Sequence, residues 1–111
     1  GWIEGEVVIG KPFEKTPFAG AGIKLRLWRP ESPEEVRIIP TFRDGTFYVD
    51  ELLPGMYRIK PDENQMEALH LVTSNPWIEF EITGNPEDPM SDPIRFHLRE
   101  DSSFESSSQN D

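Results

Sequence analysis

Apolar and charged side chains alternate strictly in one segment of the chain. Ile23, Leu25 and Leu27 occupy one parity, and Lys24 and Arg26 occupy the other. Successive side chains of a β-strand point to opposite faces, so the segment predicts a half-buried strand with its aliphatic residues inward. Shorter or less regular patterns, bounded by turn residues, predict further strands in segments 2–9, 36–39, 46–49, 56–59, 77–82 and 94–98.

Two tight turns are predicted from glycine and proline. Asp44-Gly45 precedes residues 46–49, and a glycine there supplies the positive φ that a two-residue hairpin turn requires. Pro54-Gly55 suits a second turn, because proline fixes φ and the glycine after it tolerates a positive φ. We therefore predict a hairpin over residues 41–49 and a turn that leads into a strand at 56–59.

Other segments carry no clear period. Residues 29–35 contain two prolines and interrupt the strand before them, and residues 67–72 fit either a strand or a helical turn. Residues 61–64 and 85–93 are expected to be polar loops. Residues 101–111 contain one large apolar side chain, which cannot offset the entropy of ordering the segment, so we predict a disordered acidic, Ser-rich tail or linker.

These elements define an all-β fold. About seven short antiparallel strands with turn signals between them are typical of a sandwich or barrel, and we predict an antiparallel β-sandwich over residues 1–100. The alternation along each strand then assigns the core. In segment 77–82 it places Ile78 and Phe80 inward and Trp77, which has the opposite parity, outward. The predicted core consists of Val7, Ile23, Leu25, Leu27, Phe47, Val49, Tyr57, Ile59, Ile78, Phe80, Phe96 and Leu98.

Charge and composition narrow the classes of partner. The chain has 21 acidic and 11 basic residues and a formal net charge of -10, which argues against nucleic acid and anionic membranes as partners. It has no cysteine, which excludes a disulfide framework and a thiol nucleophile. No apolar run approaches the roughly 20 residues of a membrane span, so we expect no direct membrane insertion. The sequence opens at Gly1 without an initiator Met, and we expect a fragment of a longer protein.

Three segments occur in a recognisable order. Residues 5–12 form an opening strand that ends in Lys-Pro, residues 17–25 form a small-residue turn followed by a strand, and residues 41–59 carry the most specific part. That part is a hairpin glycine, an aromatic residue two positions on, and then Leu-Pro-Gly-x-Tyr. In this order the segments resemble the carboxypeptidase-regulatory-like domains and their collagen-adhesin B-type relatives.

The resemblance implies a prealbumin-like (transthyretin-like) sandwich in which four residues have structural roles. Gly45 would hold the hairpin, and Pro54 with Gly55 would form the next turn. Tyr57 would bury its ring, and its hydroxyl would reach the backbone. The family name comes from a domain appended to carboxypeptidases, so the resemblance carries over no catalytic residue.

The sequence carries no motif for catalysis. It lacks a Gly-Lys-Ser phosphate loop, a Gly-x-Ser-x-Gly elbow and a His-Glu-x-x-His pair. His70 and His97 show no ligand spacing, and surface histidine is the favoured interpretation of both. We therefore expect neither an enzyme nor a bound cofactor.

The candidate metal ligands are carboxylates in the acidic loops. Hard oxygen ligands in loops bind calcium, although these carboxylates lack the regular spacing of a calcium loop and charged loops are usually only solvated. We expect no metal site, and the calcium candidates to be checked are Asp62, Glu63, Glu87, Asp88 and Asp92.

The expected function is that of a non-catalytic structural or interaction module in a larger exported protein, whether extracellular, periplasmic or at the cell surface. Its partner would be another protein or the neighbouring domains of its parent chain. One alternative is a carbohydrate-binding module that uses Trp2, Trp28 or Trp77, and an exposed coplanar aromatic pair would favour it. The other is a subunit-contact domain of an intracellular or membrane-linked complex, which a large apolar patch on one sheet would favour.

Overall fold

A computed structural model describes residues 1–10, 18–73, 75–83 and 94–100. They form two β-sheets whose inner faces share one apolar core. The predicted all-β sandwich is therefore confirmed. The expected tail at 101–111 and the expected loop at 85–93 lie outside the described residues.

The five-stranded sheet is built around the first strand. Strand β1 pairs in parallel with β9 on one edge, and β9 pairs antiparallel with β7. On the other edge, β1 pairs antiparallel with β5 and with the short β2. The bounds of these strands are Ile3–Gly10 (β1), Phe18–Ala19 (β2), Thr46–Val49 (β5), Leu71–Thr73 (β7) and Ile94–Glu100 (β9).

The four-stranded sheet has the order β4-β3-β6-β8, and all of its pairs are antiparallel. Strand β4 lies at one edge. A single short helix, α1, follows β6. The bounds are Lys24–Arg29 (β3), Ser32–Pro40 (β4), Gly55–Pro61 (β6), Glu63–Ala68 (α1) and Ile78–Ile82 (β8).

Strand number and direction differ from the prediction in two respects. The described residues form nine strands, and the β1–β9 pair is parallel. Strand β9 follows β8, which belongs to the other sheet. No hairpin therefore links β9 to β1, and local turn geometry does not impose an antiparallel direction on it.

The predicted hairpin over residues 41–49 is wrong, although its turn exists. The Gly45 N–H donates to the Phe42 carbonyl at 2.9 Å, and the Phe42 N–H donates to the Thr46 carbonyl at 2.8 Å. However, β5 pairs with β1 in the five-stranded sheet, whereas the strand before the turn, β4, lies in the other sheet. The turn therefore passes the chain between sheets, and the Val7 N–H secures it by donating to the Gly45 carbonyl at 2.7 Å.

Two predicted loops contain regular structure. Strand β4 begins at Ser32 and includes Pro33, which an edge strand tolerates because one of its sides needs no backbone donor. The expected loop at 61–64 is wrong, because Asp62 acts as the N-cap of α1 and its side chain accepts from the Gln65 N–H. The ambiguous segment 67–72 divides between the end of α1 and β7.

The core follows the predicted parity. Every predicted core residue is buried except Ile78, which is only partly buried. Parity reasoning missed further buried side chains near strand ends and in connections, and these are Ile3, Ile39, Leu52, Leu71, Ile82 and Ile94. No helix among the described residues is long and apolar enough to cross a membrane.

Candidate functional site

Two of the calcium candidates fall in the described residues, and both are paired with cations. Asp62 accepts from the Arg26 Nε at 2.5 Å and from the Gln65 N–H at 3.1 Å. Glu63 accepts from the Lys60 Nζ at 2.7 Å. The hydrogen bond from Arg26 lowers the pKa of Asp62, and the hydrogen bond from Lys60 lowers the pKa of Glu63. A calcium ion would have to displace both cations.

The remaining calcium candidates, Glu87, Asp88 and Asp92, lie outside the described residues. In the described ranges, no group of three or more His, Cys, Asp or Glu side chains could hold a metal ion. His70 follows α1 in a left-handed conformation with φ 55°, and His97 is exposed on β9.

The described carboxylates with displaced pKa values are all held in their ionised form. Besides Asp62 and Glu63, Asp44 has a lowered pKa, because its Oδ1 accepts from both the hydroxyl and the N–H of Thr46. A general base that works near neutral pH needs a carboxyl pKa displaced upward. The electrostatics of these three groups therefore suit salt bridges and turns rather than proton transfer.

The predicted turn glycine Gly45 is fixed by its backbone and by its surroundings. Its φ is +80°, and a Cβ at this position would lie 2.6 Å from the Val7 carbonyl oxygen and 2.8 Å from the Gly20 nitrogen. Because both contacts are with backbone atoms, they cannot be relieved by a rotamer change. Gly45 holds the crossover between the sheets.

The second turn is tied to the core by Tyr57 and Arg29. The Tyr57 ring is buried, and its hydroxyl donates to the Leu53 carbonyl at 2.8 Å, as the resemblance implies. Arg29 Nη2 donates to the Pro54 carbonyl at 2.9 Å. Gly55 has φ +140°, and a Cβ there would collide with the Arg29 guanidinium. These residues shape the turn and are not a reactive centre.

The outer face of the four-stranded sheet carries two of the three tryptophans. Lys60 Nζ lies 5.4 Å from the centre of the Trp28 ring, and the Arg58 guanidinium lies 5.4 Å from the centre of the Trp77 ring. Arg58 also donates to Glu79 at 2.9 Å. We call this surface the tryptophan face, and its residues are Trp28, Val36, Ile38, Met56, Arg58, Lys60 and Trp77.

The tryptophan face carries four of the nine large apolar side chains that are exposed among the described residues. Ile38 and Trp77 keep 49% and 48% of their surface exposed, and Val36 and Met56 are also exposed. Cross-strand register places basic side chains among them, because Ile38 pairs with Arg26, which pairs in turn with Lys60. Sequence parity assigns Met56 and Trp77 outward, and only the strand order places Val36 and Ile38 on the same face.

A groove of about 270 Å³ opens at one end of the tryptophan face. Trp28, Val36 and Pro33 supply its apolar side, and the Arg26–Asp62 and Lys60–Glu63 pairs supply its polar side. An apolar side chain with a polar end would match this lining.

The third tryptophan lies on the other sheet, in an aromatic pair. The rings of Trp2 and Tyr48 stack with centroids 5.8 Å apart and an interplanar angle of 26°. Their exposed fractions are 46% and 50%. The two residues are far apart in the sequence, and no local signal could have placed them together.

Known proteins provide little guidance for this chain. No family model matches it, and no curated protein matches it. Among solved structures, a DUF3823 family protein from Parabacteroides merdae aligns with a TM-score of 0.48 and 14% identity. The alignment covers 86% of this chain and 46% of the other, so this chain spans less than half the length of that protein. The likeness assigns neither a family nor a function to this chain.

Proposed function

We propose that this chain is a non-catalytic interaction module of a larger exported or surface-exposed protein, and that it binds a protein partner or a neighbouring domain through the tryptophan face. The observation that carries this proposal is that four exposed side chains, Val36, Ile38, Met56 and Trp77, share the outer face of one sheet. Apolar side chains gathered on one face are more typical of a contact site than singly scattered ones.

The composition of the face supports a protein as the occupant. Aromatic residues, Met and Arg are enriched in protein interfaces, and Trp and Arg dominate the positions at which truncation costs most affinity. Trp77 lies under the Arg58 guanidinium, which already restrains both side chains. Restraint before binding reduces the entropy lost on association.

The finer assignment to the carboxypeptidase-regulatory-like and collagen-adhesin B-type domains belongs to the same proposal. It is supported by the positive φ of Gly45 and by the hydrogen bond from the Tyr57 hydroxyl to the Leu53 carbonyl. Export to the periplasm or cell surface rests on this resemblance alone, because an apolar contact face is equally expected of a subunit-contact domain inside the cell. Fractionation of the producing cells distinguishes the two.

Site-specific photocrosslinking tests the contact surface. A photoreactive amino acid replaces Ile38 on the tryptophan face, and in a matched control it replaces His97 on the outer face of the other sheet. We expect one protein to be crosslinked from position 38 in the producing cells and not from position 97.

The crosslinked protein is then purified and titrated against the module. Trp77→Ala should weaken its binding by at least about tenfold, since Trp is among the residue types that most often act as energetic anchors. Trp2→Ala, which alters an equally exposed Trp on the other sheet, should leave binding unchanged. Equal crosslinking from both positions, or binding insensitive to Trp77→Ala, would contradict the proposal.

A further inference from the structure

The described residues contain two stacked aromatic pairs, and they differ in position. Tyr57 and Phe80 stack at 5.5 Å between centroids and belong to the core. Trp2 and Tyr48 stack at 5.8 Å outside the core, with about half of each side chain exposed. The outer pair therefore adds nothing to core packing, although its rings are held in a fixed relative position.

Strand pairing explains that fixed position. Ile3 pairs with Val49 and Glu4 pairs with Tyr48 where β1 and β5 run antiparallel. Trp2, one residue before β1, and Tyr48 are consequently diagonal neighbours on the outer face of the five-stranded sheet. The sheet thus holds a rigid aromatic surface before any ligand arrives, which lowers the entropic cost of binding.

Hydrogen-bonding side chains occupy the positions next to this pair. Glu4 is exposed and lies opposite Tyr48, and the next register position brings Glu6 between Thr46 and Arg95. Arg95 and Glu6 form an ion pair. Carboxylates accept hydrogen bonds and a guanidinium donates them. The acceptor Glu4 therefore lies beside the rings, and the donor Arg95 lies further along the same face, opposite Glu6 on β9.

The surroundings of the aromatic pair differ from those of the tryptophan face in the sign of their charge. Glu4 and Glu6 lie along the strand beside the pair, whereas the cations Arg58 and Lys60 lie against the tryptophan rings of the other sheet. A pyranose has a face of C–H bonds that packs on an aromatic ring, and it has equatorial hydroxyls that bond to carboxylates and guanidinium groups. Glu4 disfavours an anionic ligand.

We infer that the outer face of the five-stranded sheet carries a binding site for a neutral oligosaccharide, with Trp2 and Tyr48 as the stacking surface and Glu4 and Arg95 as hydrogen-bonding groups. This site is separate from the tryptophan face, so either proposal can be disproved while the other stands.

Titration with defined sugars tests the inference. The neutral probes are hexasaccharides of β-1,4-linked glucose, β-1,4-linked xylose, β-1,4-linked mannose and α-1,4-linked glucose. An oligogalacturonate is the anionic probe. Binding is followed by calorimetry and by tryptophan fluorescence. We expect at least one neutral probe to bind and the oligogalacturonate not to bind. The absence of binding to every neutral probe, or a preference for the anionic one, would overturn the inference.

Variants then locate the site. Trp2→Ala and Tyr48→Ala should each lower the affinity by about tenfold or more, as expected for loss of a stacking ring. Trp77→Ala is the matched control, since Trp77 is equally exposed on the other sheet, and it should bind as the unmodified chain does. Thermal unfolding of each variant checks that it is folded. Affinity lost equally in all three variants, or in none, would place the sugar elsewhere and reject this site.

Discussion

The guanidinium of Arg29 lies over the ring of Tyr57, 5.2 Å from its centre, while both side chains bond to consecutive carbonyls of one turn. Tyr57 donates to the Leu53 carbonyl and Arg29 donates to the Pro54 carbonyl. Tyr57 also stacks on Phe80, so the turn is connected to the core through a single aromatic ring. The turn before β6 is therefore held by side chains from two strands rather than by its own backbone alone.

Removal of the Tyr57 hydroxyl measures how much its hydrogen bond to Leu53 contributes to stability. Tyr57→Phe keeps the ring and its stacking but loses the hydrogen bond to Leu53, and it should destabilise the fold by about 1 kcal/mol. Urea unfolding followed by tryptophan fluorescence gives the value. Tyr48→Phe, an exposed position, is the control and should be nearly neutral. An equal effect at both positions would show that the bond to Leu53 contributes nothing.

Gly22, Gly45 and Gly55 all have positive φ, and their alanine variants distinguish the stability cost of backbone strain from that of steric contact. Gly22 has φ +82° and nothing near a prospective Cβ, so Gly22→Ala should cost only the conformational strain, about 1 kcal/mol. Gly45→Ala should cost clearly more, because its Cβ would meet backbone of β1. Gly55→Ala should fall between them, since the Arg29 side chain can move away. Chemical denaturation of the three variants gives the order, and a Gly22 variant as unstable as the Gly45 variant would contradict it.

The assignment of the inner face of β3 is tested by truncation. Leu25 is completely buried, and Leu25→Ala should destabilise the fold by roughly 2–5 kcal/mol through lost burial and the cavity it leaves. Ile38→Ala, on the outer face of β4, should cost less than about 1 kcal/mol. Comparable midpoints of unfolding for the two variants would mean that the faces of the sheet are assigned the wrong way round.

The Arg26–Asp62 pair makes stability depend on acid pH. The pKa of Asp62 lies below its ordinary value of 3.8 in the folded chain, chiefly because Arg26 donates to it. The unfolded state therefore binds a proton at a higher pH than the folded state does. The stabilisation is present above the ordinary pKa and is lost as the pH falls through the lowered one.

Unfolding measured from pH 6 to pH 2 should thus show a smaller loss of stability on acidification in Asp62→Asn than in the unmodified chain. Asp62→Asn keeps an N-capping side chain, so the helix cap is largely preserved. If stability falls with pH equally in the unmodified chain and in Asp62→Asn, the Arg26–Asp62 pair is not a source of the pH dependence.

Local patterns in the sequence account for the strands and for most of the core. Alternation at residues 23–28 and the glycines at 45 and 55 are each determined within a few residues, and the structure agrees with them. The direction of β9 and the partner of β5 depend on contacts far apart in the chain, which no local period encodes. This is why the hairpin over 41–49 was predicted within one sheet.

The surfaces were less predictable than the core. Parity identifies Trp28 and Trp77 as outward, but their proximity to Arg58 and Lys60 follows from the order β3-β6-β8. The pairing of Trp2 with Tyr48 likewise requires β1 and β5 to be adjacent. In both cases the individual residues were visible in the sequence and the strand order was not.

The parallel pairing of β1 with β9 has a consequence for synthesis of the protein. Strand β1 is synthesised well before its parallel partner β9, the last strand described, and both are interior strands of their sheet. The four-stranded sheet, complete at Ile82, can form while β1 still lacks that neighbour. One edge of β1 therefore stays unpaired until β9 has been made, and the pairing then has to close a long loop. A nascent chain paused before β9 would therefore expose an apolar edge to chaperones, and the released chain would not.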